Sequence, residues 1–210
     1  MSVEEPLEAA CRLLAAGRSA EALQAVIGLV DLGLAAQTAS ATRKEAAYIA
    51  LRALPEEQET KYREALEAWL LASAGSATSP RVSSHQILHA VGLSALSAGR
   101  PRRALRSFAA ALRGPLGEGA RARVADLAAT ALMELGRNVA ARLLAVREQS
   151  RAPHEKLGWL FLRRAALASQ ALGELDVAAD YARRCIEHPF FPATMRSELE
   201  PLLRESSITG

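Results

Sequence analysis

The apolar residues of this chain recur three or four positions apart, which is the spacing of one face of an α-helix. Alanine and leucine fill most of these positions, and both are strong helix formers. No stretch alternates β-branched or aromatic residues with polar ones over the length of a strand. The pattern therefore predicts an all-α protein in which each helix buries one apolar face.

Glycines interrupt this helical pattern at four positions, and the last three are 37 residues apart: Gly17, Gly99, Gly136 and Gly173. Five residues after each glycine stands an alanine, at Ala22, Ala104, Ala141 and Ala178. Seven residues before each stands another small residue, at Ala10, Gly92, Ala129 and Ala166. Because a glycine can end a helix in a left-handed cap and small residues let two helix axes approach, the spacing predicts repeated helix hairpins.

The 82 residues from Gly17 to Gly99 leave room for one further hairpin, with helices predicted over 38–54 and 55–75. Pro55 suits the first position of the second of these helices. Near the other end, Pro189 ends a helix and Pro192 permits another from about 193 to 204. We therefore expect roughly 11 helices: five hairpins and a terminal helix that caps the stack.

Charge divides the chain, because residues 1–80 carry a net −4 and residues 81–151 a net +8 within an overall +3. The small, polar and Pro-containing segment "SAGSATSPRVSS" (73–84) lies at this change and is typical of a loop. The expected organisation is an acidic N-terminal part (1–74), a linker (75–84), a basic C-terminal part with the capping helix (85–205) and a frayed tail (206–210).

Two of the predicted hairpins resemble the tetratricopeptide repeat (TPR). The first carries Gly92, Ala104, Phe108, Ala111 and Pro115, and the second carries Trp159, Ala166, Ala178 and Pro189. In the extra hairpin, Ala65 and Trp69 resemble the alanine and the aromatic residue of a second helix. The period of 37 departs from the usual 34 of this family. The resemblance implies a right-handed α-solenoid of about five TPR-like hairpins plus a C-terminal capping helix.

TPR proteins bind peptides or partner helices in a concave groove that their first helices line, so the resemblance also implies a site. Counting back from the last three turn glycines, the groove-facing residues would be Gln86, His89, Leu93, Arg123, Asp126, Thr130, Met133, Arg163, Leu167 and Gln170. This lining mixes apolar side chains with a few charges, as a groove for an amphipathic segment would. The alternative is that its leucines pack between neighbouring helices or promote self-association.

The turn after Gly99 carries four arginines in seven residues: Arg100, Arg102, Arg103 and Arg106. Helical periodicity predicts that they lie on a solvated outer face, which is the alternative location for an interface. Arginines can neutralise phosphates, but Phe108 is the one aromatic residue in 81–151 and the repeat pattern buries it. Nucleic acid is therefore a less favoured partner than protein.

The sequence contains no catalytic or metal-binding pattern that we would rely on. His85 and His89 stand one helical turn apart, but Gln86 replaces the glutamate that acts as general base in the similar zincin signature. Cys11 and Cys185 fall in the first and last repeats, too few and too distant for a disulfide framework. We expect no enzyme activity, no metal and no cofactor.

These observations favour a non-enzymatic protein–protein interaction module, that is, an adaptor, scaffold or co-chaperone that binds a segment of another protein. The alternatives are a peptide- or signal-sensing regulator, a nucleic-acid-binding protein that uses residues 81–151, and a homo-oligomer. The N-terminal stretch is acidic, unlike the basic start of a signal peptide, and no apolar run is long enough to cross a membrane. A cytoplasmic location without membrane insertion is the expectation.

Overall fold

The structure is a computed structural model that describes residues 4–36, 41–54, 60–73, 82–151 and 156–205. Within these ranges the chain is helical and contains no strand, which confirms the all-α prediction. The eleven α-helices are α1 (Glu4–Ala15), α2 (Ser19–Ala36), α3 (Ala41–Ala53), α4 (Thr60–Ser73), α5 (Ser84–Ser97), α6 (Pro101–Leu112), α7 (Glu118–Glu134), α8 (Asn138–Arg151), α9 (Gly158–Ala171), α10 (Leu175–Ile186) and α11 (Arg196–Glu205). A short 3₁₀ turn, Ala193–Met195, leads into α11.

Consecutive helices pack in pairs, and α11 packs against α9 and α10 at the end of the last pair. The chain divides into two compact units, residues 1–111 and 112–210. The first contains α1 to α5 and nearly all of α6, and the second contains α7 to α11. Most of the linker predicted at 75–84 lies outside the described residues, which include only 82–84 of it.

The four turn glycines adopt one conformation, with φ between 65° and 75°. In each turn the glycine N–H donates to the carbonyl three residues before it, and the next N–H reaches the carbonyl five residues before its own position. At Gly99 these bonds run to Leu96 at 2.9 Å and from Arg100 to Ala95 at 2.8 Å. This is a Schellman motif, which satisfies carbonyls that the helix end leaves unpaired. The predicted caps are confirmed.

The small residues on either side of each turn are buried, as predicted: Ala10, Ala22, Gly92, Ala104, Ala129, Ala141, Ala166 and Ala178. At Gly92 the reason is steric, because a Cβ there would lie 2.3 Å from the Phe108 ring. The helices of this hairpin therefore cross closely only because α5 presents no side chain at the contact. Smallness at these positions sets the distance between paired helices.

The extra hairpin, α3 and α4, has a different register from the one expected. Ala65 is exposed, so its assignment as the small residue of a second helix is wrong. Leu66 and Leu70 fill the core instead, and Trp69 packs half-buried beside them. Pro55, predicted as the first helical residue, lies outside the described residues.

Ion pairs join neighbouring hairpins within each unit. In the first unit, Arg100 directly after the turn glycine donates to Glu67 of α4 at 2.8 Å. In the second, Glu174 occupies the equivalent position and accepts from Arg142 of α8. The two pairs have reversed charges at corresponding repeat positions. In these two hairpins the residue after the turn glycine connects its hairpin to the second helix of the preceding one.

Among the described residues, no helix combines the length and the apolar composition that a membrane crossing needs.

Candidate binding cavity

A cavity of about 520 Å³ lies in the first unit between α3 and α5. Its walls are formed by Tyr48, Leu51, Arg52, Leu54, Arg63, Gln86, His89, Ala90, Leu93, Ser94 and Ser97. The lining combines leucines with hydroxyl, amide, imidazole and guanidinium groups. This volume is typical of ligand-binding pockets, and with seven polar side chains among its eleven lining residues the cavity is more polar than such pockets usually are.

The α5 wall contains three of the residues predicted to face a groove. Gln86 is exposed in the first turn, where its side chain accepts from the Ser83 backbone N–H at 2.8 Å in a capping box. His89 stands one turn on, with its ring centroid 6.4 Å from that of Phe108. Leu93 is 39% exposed, one of the few large apolar side chains at the surface. The structure therefore brings Gln86, His89 and Leu93 together on one cavity.

The opposite wall consists of residues that the sequence analysis did not select. Tyr48 and Arg52 are one turn apart on α3, and the Arg52 guanidinium lies 5.7 Å from the centre of the Tyr48 ring. Leu51 lies between them in sequence and lines the same cavity. The hairpin has no turn glycine, so the groove rule, which counts back from such a glycine, was not applied to it. Counting 37 residues from Gly17 reaches Leu54, and counting back from there selects Ala41, Lys44, Tyr48 and Leu51, of which Tyr48 and Leu51 line the cavity.

Behind the α5 wall of the cavity, a buried polar network joins α4 to α5. Glu67 is 0% exposed, and its carboxylate accepts from Ser94 Oγ at 2.7 Å. Arg100 Nη2 lies 2.8 Å from Glu67 Oε1 and Arg103 Nε lies 3.0 Å from Oε2. Arg63 donates to Ser94 Oγ and to the carbonyl of Leu54, at 3.1 and 3.2 Å. The network connects α3, α4 and the α5–α6 turn, and so sets the shape of the cavity.

This network corrects the prediction for the four turn arginines. Arg102 and Arg106 are exposed on α6, as expected. Arg100 and Arg103 are instead largely covered and bound to Glu67, so the expectation that they are solvated is wrong. These two arginines are covered because the buried Glu67 of α4 pairs with them. The periodicity of α6 alone gives no information about a partner on another helix. Two of the four arginines therefore remain as an exposed pair.

In the second unit, two charged residues predicted for the groove make internal ion pairs. Asp126 accepts from Arg164 Nε and Nη2 at 2.9 and 3.2 Å, which joins α7 to α9. Arg163 binds Glu198 of α11 in the same two-pronged way, at 2.9 and 2.6 Å. Burial by itself lowers the pKa of Arg163, but the Glu198 carboxylate more than offsets this, and the pKa lies above its usual value.

These pairs change the role expected of Arg163, since its guanidinium holds the terminal helix and its replacement would disturb packing. The other predicted groove residues of this unit lie on α7 and α9. Arg123 is exposed, whereas the remaining side chains are half-buried: Thr130, Met133, Leu167 and Gln170. Thr130 Oγ1 donates to the Asp126 carbonyl of its own helix at 3.0 Å.

The two cysteines belong to different units and differ in exposure. Cys11 is exposed on α1, and Cys185 is buried on α10 with its thiol 3.3 Å from the Trp159 carbonyl. Burial raises the pKa of the Cys185 thiol to about 12, although the nearby Arg163 charge acts in the opposite direction. In the described part of the chain, no three His, Cys, Asp or Glu side chains are grouped as a metal site would require. His85 and His89 lie on α5 as an ordinary pair near a helix start.

Comparison with known proteins adds no assignment, because neither a protein-family model nor a curated protein matches this chain.

Proposed function

We propose that this protein is a non-enzymatic interaction module, an adaptor or scaffold whose cavity between α3 and α5 binds a segment of another protein. The observation that carries the proposal is the cavity itself, where Gln86, His89 and Leu93 face Tyr48 and Leu51 across about 520 Å³. Apolar anchors beside a few directional polar groups are what an extended or helical peptide requires.

The repeat pattern supports the same function. Four hairpins share the turn glycine, its cap and the buried small residues, so we propose that they are TPR-like repeats. In that family the first helices line the peptide groove, and α3 and α5 are the first helices of their hairpins. Stacking of the repeats as a right-handed solenoid and a cytoplasmic location stay predictions.

The proposal is tested with the full chain and a display library of short random peptides. Peptides are selected on the wild type and then measured against Leu93→Asp, which places a charge in the cavity wall. Leu143→Asp is the matched control, because Leu143 is a 63% exposed leucine of α8 that does not line the cavity. We expect Leu93→Asp to weaken binding by about tenfold or more, since it removes an apolar anchor and peptide binding would take the new carboxylate out of water.

Both variants should keep the wild-type far-UV circular dichroism and denaturation midpoint, because both side chains are already partly in solvent. If the selected peptides bind Leu93→Asp as tightly as the wild type, the cavity is not the binding site. A loss caused only by Leu143→Asp would instead place the interface on α8.

A further inference from the structure

The chemistry of the cavity rim points to the kind of segment that would bind there. Arg52 is exposed at the rim, on α3, and its Nη1 donates to the Tyr48 hydroxyl at 3.3 Å. The same guanidinium lies over the Tyr48 ring. Both contacts hold the arginine in place without neutralising it, because the phenol is uncharged. Arg52 therefore presents an oriented positive charge to the cavity.

No carboxylate is found among the described residues that line the cavity. The acidic side chain behind the wall, Glu67, is already bound by Ser94, Arg100 and Arg103. The exposed charge of Arg52 therefore has no carboxylate partner among the described lining residues, and an anionic group of a ligand can pair with it.

Apolar surface is next to this charge. Leu51 precedes Arg52 directly on α3 and is buried at the cavity wall, and Leu93 faces it from α5. An ion pair at an exposed rim contributes little by itself, about fivefold in affinity or less. A small anion alone would consequently bind weakly, and a ligand needs an apolar group in the cavity as well as a carboxylate at the rim.

We propose that the occupant is an acidic segment of a partner protein, in which a Leu- or Phe-sized side chain stands close to an Asp or Glu. The apolar side chain fills the space against Leu51 and Leu93, and the carboxylate pairs with Arg52 in the two-pronged geometry that guanidinium groups favour. This inference rests on the proposed function, since it names the partner chemistry of the same cavity.

The test is a selection of random displayed peptides on the full-length wild type and, separately, on Arg52→Glu. Wild-type peptides should be enriched in Asp or Glu beside Leu, Ile or Phe, whereas Arg52→Glu should select Lys or Arg in place of the acid. Arg102→Glu is the matched control, because Arg102 is an exposed arginine of the same unit that does not line the cavity. It should select the same peptides as the wild type.

A synthetic peptide from the wild-type selection then gives the magnitude. Arg52→Gln should weaken its binding by about fivefold, and added salt should weaken the wild type more than this variant. Peptides that depend on Leu93 but show no acidic enrichment and no response to Arg52 would overturn the inference and leave the proposed function standing. The absence of any peptide that depends on Leu93 would overturn both.

Discussion

Arg102 and Arg103 of α6 were both predicted to be exposed, but only Arg103 takes part in the network around Glu67. Arg103 Nε lies 3.0 Å from the Glu67 carboxylate, which is 0% exposed, whereas Arg102 is exposed to solvent. Arg103 is one of the two cations that offset the buried Glu67 charge, and a buried polar group that loses a partner costs about 1–3 kcal/mol, whereas an exposed charge typically contributes below about 0.5 kcal/mol. Arg103→Gln should therefore lower the free energy of unfolding by about 2 kcal/mol, and Arg102→Gln by almost nothing.

Urea denaturation followed by far-UV circular dichroism measures both variants under the same conditions. The variant in which Arg102, Arg103 and Arg106 are all changed to glutamine should lose no more than Arg103→Gln alone. If Arg103→Gln and Arg102→Gln differ by less than about 0.5 kcal/mol, the contact with Glu67 does not stabilise the fold and our reasoning fails.

A double-mutant cycle with Glu67→Gln checks the contact itself. Glu67→Gln removes the carboxylate that two arginines share, so it should cost about 3 kcal/mol, at the lower end of values for broken buried pairs. The combined loss in Glu67→Gln/Arg103→Gln should be smaller than the sum by about 1 kcal/mol or more. Strict additivity would contradict a direct interaction between the two side chains.

Two further predictions concern packing and pH. Ala104→Leu should destabilise the first unit by about 1–3 kcal/mol, because it overpacks a fully buried helix crossing. Ala65→Leu, on the exposed face of α4, should cost much less, and equal melting temperatures for the two variants would contradict the assigned register. Burial raises the pKa of the Cys185 thiol from 9.0 to about 12, so the unfolded chain ionises first, and the stability contributed by the neutral thiol is lost as the pH rises above 9. Relative to Cys185→Ala, the wild type should lose about 1.4 kcal/mol per pH unit in urea titrations between about pH 9 and pH 11, and parallel pH profiles would refute this.

The candidate site was partly predictable from the sequence, because a turn glycine fixes the positions of residues on its own helix but not of those on neighbouring helices. Gln86, His89 and Leu93 are at fixed offsets from Gly99 on one helix, so the turn glycine sets their face. Tyr48 and Arg52 complete the cavity from α3, a helix that was predicted, but its hairpin lacks such a glycine and its cavity-facing residues were therefore not selected. The groove rule does not select Arg52. Its role as a ligand-binding charge depends on which charged side chains surround it in the folded protein.

The local geometry of each hairpin follows from its own residues. Each turn glycine and the alanine five residues later define the cap and the close helix crossing, and these depend only on backbone conformation and side-chain volume within one hairpin. Which charged side chains are covered depends instead on how the helices pack against one another. Glu67 and Arg103 are 36 positions apart, and Arg163 and Glu198 are 35 apart, so no helical periodicity connects them. A charged residue is buried only where a neighbouring helix supplies its partner, and that neighbour is set by packing.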